Sequence, residues 1–479
     1  MRTSALFTDF YSLTMAQGYW KNNPARKAVF EMFFRRQPFN GGYSIFAGLQ
    51  TLLEKLTELS FSDDDIAWLK TTGVFEDKFI DYLKDFKFSG CLWAMDEGTV
   101  VFPNEPLIRV EGSLIECQII EGLLLNTVNF QSLIATKTCR IWLASGKGNV
   151  MEFGLRRAQG PDGAISASRA AFIGGASGTS DTLAGKIYGV PVMGTMAHAW
   201  VMSFASEEEA FDKYAELYPD RTVLLIDTYD TLKSGIVNAI KTGKKLAARG
   251  KNFGVRLDSG DMQYLSTEVR RLLDEAGLRK TFITASNDLD EYIVETLVKE
   301  NAPIDSWGVG TRMVTGDNEA SFTGVYKLTA LVDGENSIPV MKLSDNPEKT
   351  TNPGIKRVWR IHDKNDSFVA DILGVEGEDT PEKGQRYSFW HPLADYRHFY
   401  HTIEGRVDSL LKKCLENGKL TGERPSLAEI KKKVFTSLES LDATYKRLLN
   451  PHIYKVSVTE NLRDLKLGLI EKNLTRKNE

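Results

Sequence analysis

The sequence is poor in cysteine, the residue whose disulfides stabilise many small extracellular folds. Only four cysteines occur in 479 residues, and no two of them form a Cys-x-x-Cys pair. This spacing indicates neither a disulfide framework nor a zinc ribbon, and it favours a reducing compartment. We therefore expect a cytoplasmic protein whose thiols, at positions 91, 117, 139 and 414, belong to the core.

Long apolar runs and an excess of one charge are also absent from the sequence. No window holds 18 uncharged apolar residues, and the N-terminal MRTSALFTDFYSLTMAQGYW lacks the basic start and apolar core of a signal peptide. The chain carries 60 Lys and Arg against 64 Asp and Glu, which gives a formal net charge of -4. This balance argues against nucleic acid as the main partner, and we expect a soluble protein that does not enter a membrane.

What the chain does have is length and a repeated pattern. A chain of 479 residues exceeds what one hydrophobic core usually organises. Seven short apolar runs each end in charged, hydroxyl or glycine residues, and helical patterns fill most of the gaps between them. The runs are NVMEFGLRR (149–157), AAFIGGASGTSD (170–181), VPVMGTMAHAW (190–200), TVLLIDTYD (222–230), FGVRLDSGD (253–261), TFITASND (281–288) and SWGVGTRM (306–313). This alternation predicts βα units whose parallel strands share one pocket at their carboxyl ends, which points to an enzyme.

The regions on either side of this pattern have a different texture, and together they predict an α/β fold. We expect an N-terminal α/β domain at 1–145 and an irregular (β/α) barrel of about seven βα units, with the active site, at 146–330. Strands and charged helices at 331–479 are expected to pack back on the first domain and complete it. Segment 341–357 is either a basic loop over bound phosphates or a solvated hairpin, and the tail EKNLTRKNE is expected to fray.

His198 is the most informative single residue in the pattern. It ends the apolar run VPVMGTMA, and it is the only one of six histidines before residue 360. An imidazole at the end of a strand offers a proton acceptor or a nucleophile near neutral pH. The alternative is a core histidine that is satisfied by a backbone carbonyl. The histidines at 391, 398 and 401 have no consistent ligand spacing, so a metal site is not expected there.

Five charged residues lie at the ends of two successive candidate strands. They are Asp227, Asp230, Arg256, Asp258 and Asp261. Carboxylates in such positions bind Mg²⁺, directly or through water, or accept hydrogen bonds from sugar hydroxyls, and an arginine pairs with phosphate. Alternatively, an aspartate at a strand end caps the following helix, which would explain one of them but not all.

The last two units place small and hydroxyl residues where a phosphate can bind. Ser286 and Asn287 follow one run, and Gly308, Gly310 and Thr311 follow the next. Backbone N–H groups and a following helix N-terminus can hold a phosphate, and barrel enzymes commonly bind phosphate after their final two strands. Glycines at strand ends also serve tight turns, so that alternative remains open.

The motif EFGLRRAQG (152–160) supplies an aromatic plane and two cations. Phe153 offers the plane, and either Arg156 or Arg157 can neutralise an acidic ligand. Because neighbouring side chains of a strand point to opposite faces, the two arginines are not expected to share one role. A glycosidase with paired carboxylates would explain Asp227 and Asp258 but would leave His198 without a function.

Six ordered motifs closely resemble the nicotinate phosphoribosyltransferase family over about residues 8–360. They are TDFYSLTMAQGYW (8–20), FEMFFRRQPFNGGYSIFAGL (30–49), EFGLRRAQGPDG (152–163), SRAAFIGGASGTSDTLAGKIYGVPVMGTMAHAW (168–200), GVRLDSGD (254–261) and GVGTRMVT (308–315). The resemblance implies an irregular α/β barrel beside an α/β domain, in a homodimer with shared active sites. It also implies transfer of phosphoribosyl from phosphoribosyl diphosphate to nicotinate, with Mg²⁺ and with coupled ATP hydrolysis through a phosphohistidine.

The same resemblance assigns roles to residues of this chain. His198 would be the phosphorylated histidine, while Phe153 and Tyr11 of the partner subunit would hold the pyridine ring. Arg156 would bind anionic groups of the ligand. Asp227 and Asp258 would hold the ribose hydroxyls or the metal diphosphate. The 5′-phosphate would lie at Gly308 to Thr311, with Ser286 and Asn287 nearby.

Asp181 leaves the identity of the base open. The family's nicotinamide-using branch has an aspartate in a similar setting, where it accepts the amide N–H, whereas a free carboxylate would repel nicotinate. Nicotinate is preferred here on the likeness of EFGLRRAQGPDG, with Asp181 turned away or paired with an arginine. The enzymatic alternative is a nicotinamide phosphoribosyltransferase, and the non-enzymatic alternative is a nucleotide sensor on the same fold.

Overall fold

The computed structural model describes residues 3–334, 336–344, 350–394 and 396–475. It divides into two units, the first comprising Met1–Leu133 with Ser321–Glu479 and the second Ile134–Ala320. The sequence pattern predicts these divisions at 145 and 330. Helix Glu121–Ala144 runs through the first of them, so no linker composition marks it. Residues 345–349 of the predicted loop and 476–479 of the predicted frayed tail lie outside the described residues.

Strands from both ends of the chain form the first unit. Its seven-stranded sheet is antiparallel, in the spatial order Asn336–Pro339, Gly324–Asp333, Lys27–Phe34, Ile108–Ser113, Cys91–Ala94, Lys412–Glu416 and Lys419–Leu420. A six-stranded sheet follows the order His398–Thr402, Arg386–Trp390, Val456–Val458, Phe368–Val375, Lys356–His362 and Val407–Ser409. Ser44–Ile45 pairs with Val100–Val101. The C-terminal strand Lys412–Glu416 therefore widens a sheet whose central strands come from the N-terminal part of the chain.

The described residues of the first unit contain eight α-helical segments, and three of them begin with a serine side-chain cap. The segments are Phe10–Asn22, Leu49–Glu58, Asp63–Thr71, Asp77–Leu83, Leu114–Ile119, the first part of Glu121–Ala144, Leu427–Ser440 and Glu460–Thr475. Ser62, Ser113 and Ser426 each open a helix with a capping box, in which the serine and the acidic residue three positions later exchange hydrogen bonds. None of the helices in the described part of the chain is both long and apolar enough to cross a bilayer.

The second unit is a parallel sheet with helices between its strands. The strand order is Gly178–Thr179, Asn149–Glu152, Ser306–Val309, Phe282–Ser286, Gly254–Leu257 and Val223–Leu225. The helices are Gly160–Gly174, Thr182–Tyr188, His198–Met202, Glu207–Leu217, Ile236–Ala248, Met262–Glu275, Glu291–Lys299 and Thr311–Val314. A π-helical turn, Thr231–Gly235, precedes Ile236–Ala248. The predicted βα alternation and parallel direction are confirmed.

Two of the seven predicted strand runs differ in the structure. Residues 170–174 of the run 170–181 belong to helix Gly160–Gly174, because this alanine-rich stretch favours a helix, and only Gly178–Thr179 is a strand. The run 190–200 contributes a single bridge at Val192, since Pro191 and Gly194 interrupt it. The described residues therefore give six strands of the parallel sheet, against the predicted seven.

Candidate active site

Three neighbouring strands of the parallel sheet end in a linked polar cluster. The Asp227 carboxylate accepts hydrogen bonds from the backbone N–H of Asp258 at 3.0 Å and from the Ser259 hydroxyl at 2.6 Å. The Ser286 hydroxyl donates to the Asp258 carboxylate on the other side of the cluster. The strands that lead to Asp227, Asp258 and Ser286 are adjacent and parallel, so their carboxyl ends meet at one edge of the sheet.

His198 lies beside this cluster. Its Nδ1 is 3.1 Å from the Thr228 hydroxyl oxygen, and its Nε2 is 3.9 Å from Asp258 Oδ2. The side chain is 40% exposed, and its ring partner is a hydroxyl. This environment differs from the alternative of a buried histidine satisfied by a backbone carbonyl, and it leaves the imidazole accessible to a ligand.

Arg256 adds a positive charge to the same edge of the sheet. One of its terminal nitrogens donates to the Thr195 hydroxyl. Burial lowers the pKa of Arg256 from its usual value, and the nearby Arg156 acts in the same direction, against the raising effect of Asp258 and Asp227. Arg156 itself is exposed. The edge therefore combines two cations with two carboxylates.

Two buried polar atoms of the cluster lack a hydrogen-bond partner among the described residues. They are Asp227 Oδ1 and Arg256 Nε. Buried polar atoms in folded proteins are nearly always paired, because an unpaired one costs free energy. An acceptor and a donor left open in one cluster fit a ligand that carries both hydroxyl groups and anionic oxygens.

The aromatic plane of Phe153 adjoins this cluster. A Cβ placed on Gly308 would lie 2.7 Å from the Phe153 ring and 3.3 Å from Ser286 Cβ. The glycine is therefore required for the ring to pack directly on the strand beside Ser286. The structure thus brings Phe153, Ser286 and Gly308 together.

The residues predicted to bind phosphate differ in their availability. Gly310 and Thr311 follow strand Ser306–Val309, but helix Thr311–Val314 has four residues, too few for a substantial helix dipole. The Ser286 hydroxyl is already engaged with Asp258, whereas Asn287 is exposed and has a positive φ of 92°. Asn287 is therefore the more available of the two for a phosphate.

Three aspartates of the candidate set cap helices. Asp181 Oδ1 accepts the N–H groups of the two residues after Thr182, at 2.9 and 3.1 Å, and the residue is 3% exposed. Asp230 caps the π-helical turn Thr231–Gly235, and Asp261 caps helix Met262–Glu275. The capping explanation thus holds for Asp230 and Asp261, which the polar cluster does not include. Asp181 Oδ2 is buried without a hydrogen-bond partner among the described residues.

Tyr11 belongs to the first unit, in helix Phe10–Asn22. It is 51% exposed, and its neighbours Phe7 and Phe10 are about equally exposed. Burial, together with the charges of Glu121 and Asp9, raises the pKa of Tyr11. An exposed aromatic group of this kind is available to a second subunit.

The chain's similarity to known proteins agrees with this geometry. The family model described as "Nicotinate phosphoribosyltransferase (NAPRTase) family" matches residues 149–376, and the models of the N-terminal and C-terminal domains match 6–129 and 355–466. A nicotinate phosphoribosyltransferase of Bacillus subtilis is 41% identical over 474 residues, which cover 98% of this chain and 96% of the relative. The chain belongs to the nicotinate phosphoribosyltransferase family.

Solved structures support the fold of this family member. The crystal structure of human nicotinic acid phosphoribosyltransferase has a TM-score of 0.86 and 32% identity, covering 96% of this chain and 99% of the human one. That of a nicotinate-nucleotide pyrophosphorylase from Pyrococcus furiosus has a TM-score of 0.70 at 23% identity, over 91% and 95% of the two chains. The second likeness concerns the fold alone. The chain is a member of an enzyme family with a mixed α/β fold.

Sequence reasoning missed four residues of the site in this nicotinate phosphoribosyltransferase family member. They are Glu152, Thr195, Thr228 and Ser259, each bonded to a candidate residue or to its turn. Every one of them lies within a motif already singled out. The hydroxyl and carboxylate groups of those motifs were visible, but which of them turn toward the cluster depends on backbone geometry.

Proposed function

We propose that this chain transfers the phosphoribosyl group of phosphoribosyl diphosphate to nicotinate, forming nicotinate mononucleotide and diphosphate for NAD biosynthesis. The observation that carries the proposal is the pair of open buried atoms, Asp227 Oδ1 and Arg256 Nε, in the cluster beside His198. A sugar phosphate provides hydroxyl donors for the one and anionic oxygens for the other. The similarity to proteins named nicotinate phosphoribosyltransferase supports the same reaction.

The reaction requires a flat base to be held against C1 of the ribose. The transition state resembles an oxocarbenium ion, so most of the catalytic benefit comes from orientation and from nearby negative charge. Phe153 offers one face for the ring, and Tyr11 of the partner subunit offers the second. Asp227 and Asp258 hold either the ribose hydroxyls or the metal diphosphate, and their negative charge stabilises the developing positive charge.

Mg²⁺ is the metal that this donor set fits. The described residues contain no group of three or more His, Cys, Asp or Glu side chains arranged to hold a metal ion. However, Mg²⁺ is usually bound by one or two carboxylates together with substrate phosphates, and Asp227 has an open buried oxygen. Asp227 and Asp258 would hold the ion, and it would supply positive charge that stabilises a departing diphosphate.

The proposal also includes coupling of the transfer to ATP hydrolysis through His198. A phosphoryl group on His198 adds negative charge next to Asp258, and it alters how Arg156, Arg256 and Mg²⁺ bind reactant and product. Replacement His198→Ala should leave slow basal transfer and abolish its stimulation by ATP. Full ATP stimulation of the variant, measured as mononucleotide formed per minute, would contradict the coupling.

Nicotinamide is the second candidate base, and one observation favours it. Asp181 Oδ2 is buried without a partner among the described residues, so it is open to accept an amide N–H. Its other oxygen is committed to the helix cap, and the exposed cation Arg156 favours the carboxylate of nicotinate. We therefore place nicotinate first.

A homodimer with shared sites belongs to the proposal. Phe7, Phe10 and Tyr11 are about half exposed, which suits a surface that a second subunit covers. The cytoplasmic location stays a prediction.

The test is a product assay with the purified protein, phosphoribosyl diphosphate and Mg²⁺, with either base, and with and without ATP. We expect mononucleotide from nicotinate, in larger yield when ATP is present. Preference for nicotinamide would make Asp181 the selector of the base. No product with either base would contradict the proposal and favour the nucleotide sensor.

A further inference from the structure

Glu152 is a buried carboxylate to which the proposed reaction assigns no role. It ends strand Asn149–Glu152, immediately before Phe153, and it is 1% exposed. Its carboxylate accepts hydrogen bonds from the Thr179 and Ser168 hydroxyls and from the backbone N–H of Gly154. Burial raises the pKa of Glu152, while these donors act in the opposite direction. Three donors from three segments of the second unit thus converge on one side chain.

The contacts of Glu152 join two turns of the proposed base site. The N–H of Asp181 donates to Thr179 Oγ1 at 2.9 Å, and the Thr179 hydroxyl then donates to Glu152. One end of this hydrogen-bond chain is the turn that carries Asp181. The other end is the amide of Gly154, directly after Phe153. Hydrogen bonds in such a chain polarise and reinforce one another.

The Phe153 ring has little freedom as long as this turn is fixed. The Phe153 N–H donates to the Val309 carbonyl at 2.8 Å, and the ring packs on Gly308. A Cβ on Gly154 would lie 2.3 Å from a methyl group of Val314, so the turn is closely packed. The Glu152 carboxylate holds the amide that follows the ring.

A carboxylate suits this position better than the amide of glutamine. An ionised carboxylate only accepts hydrogen bonds, whereas the NH₂ group of a glutamine would donate, so that the Thr179 and Ser168 hydroxyls could no longer donate to that end of the side chain. The shape of the side chain would be kept, but the hydrogen-bond pattern would be broken.

We propose that Glu152 is a positioning residue, which fixes the Phe153 turn relative to Asp181 and thereby sets the affinity for the pyridine base. This inference rests on the proposed function. It concerns binding of the base, whereas phosphoribosyl diphosphate is assigned to the Asp227 cluster.

The test compares Glu152→Gln with wild type in steady-state kinetics, in which each substrate is varied separately. We expect KM for nicotinate to rise about tenfold or more, since small displacements of an orienting group have effects of this size. KM for phosphoribosyl diphosphate should stay within about twofold of wild type, because the Asp227 cluster is unchanged. Ser177→Ala is the matched control. Its hydroxyl bonds Asn149 and Val150 at the other end of the same strand pair, and both constants should remain as in wild type.

Thr179→Val is a second variant that keeps the test decisive if Glu152→Gln does not fold. It removes the middle of the hydrogen-bond chain and should raise KM for nicotinate in the same selective way. Equal changes in both KM values, or none, in a folded variant would overturn the inference and leave the proposed function intact. Failure of the wild-type protein to use nicotinate would overturn the proposed function and this inference with it.

Discussion

Two clusters of this protein combine an arginine with acidic residues, and they are built in opposite ways. In the first unit, buried Arg360 donates to both oxygens of Asp371, at 2.9 and 2.6 Å, and Tyr454 donates to the same carboxylate at 3.0 Å. In the second unit, Arg256 lies near two carboxylates, but its Nε and Asp227 Oδ1 have no hydrogen-bond partner among the described residues.

The difference separates a structural cluster from a functional one. A buried ion pair whose oxygens all have donors holds its surroundings in one arrangement, and removal of one partner is costly. A cluster with open buried atoms is incomplete until a ligand supplies the missing groups. Residue types alone would not distinguish the two, whereas the hydrogen-bond partners of the arginine and the aspartate in each cluster do.

The largest expected effect is on stability, at the closed cluster. Replacement Asp371→Asn leaves the buried Arg360 with weakened compensation, and we expect the free energy of unfolding to fall by about 3–5 kcal/mol. Chemical denaturation of the variant and of wild type measures this difference. The control is Asp274→Asn, which removes the partly exposed partner of Arg270 and should cost about 0–1 kcal/mol. Wild-type stability of Asp371→Asn would contradict the structural role of the pair.

The next effect is on catalysis, at the open cluster. Replacement Asp258→Asn removes negative charge beside His198 and the proposed ribose site, and we expect kcat to fall by about 10²- to 10³-fold. The thermal unfolding midpoint should change little, since Asp258 is only partly buried. A variant with wild-type kcat would remove Asp258 from the mechanism.

A smaller, pH-dependent effect is expected at Glu105, beside the closed cluster. Burial and the neighbouring Asp371 raise the pKa of Glu105 well above its usual value. The native state therefore favours the protonated carboxyl, so its contribution to stability is complete below the unfolded pKa, about 4.3, and is lost as pH rises through the folded pKa. Glutamine resembles the protonated form, so Glu105→Gln should gain stability relative to wild type as pH rises from about 5. A stability difference independent of pH, in denaturation at several pH values, would contradict the raised pKa.

The smallest effect is expected at a helix cap next to the open cluster. Asp261 accepts from the Tyr264 N–H at the start of helix Met262–Glu275. Replacement Asp261→Ala should cost about 1 kcal/mol of stability and leave kcat unchanged. A large loss of kcat in this variant would show that Asp261 belongs to the site. It would contradict the distinction between the aspartates that cap helices and those of the cluster.

In the second unit, the sequence predicts the strands correctly where one pattern dominates, an apolar run that ends in polar residues. The runs at 222–230, 253–261, 281–288 and 306–313 each contain a strand of the parallel sheet. In the run 170–181 the predicted strand is confined to Gly178–Thr179 and residues 170–174 are helical, because an alanine-rich apolar stretch suits a buried helix as well as a buried strand. Whether such a stretch forms a helix or a strand depends on its length and on the residues that interrupt it, and composition alone does not decide it.

Roles within the site are harder to predict than its location. Asp227, Asp230, Asp258 and Asp261 share one residue type and similar positions, yet two join the cluster and two cap helices. The difference depends on the turn geometry after each strand, which short sequence motifs do not encode. The proposed substrate is implied by the family resemblance.

Binding of phosphoribosyl diphosphate in the presence of Mg²⁺ is the most direct test of the open cluster. Calorimetric titration of wild type and Asp227→Asn would measure it, because asparagine keeps an oxygen for Asp258 and Ser259 but loses the charge. We expect binding to weaken by about ten- to a hundredfold while the unfolding midpoint stays near that of wild type. Wild-type affinity in Asp227→Asn would contradict the assignment of the open buried atoms to the substrate.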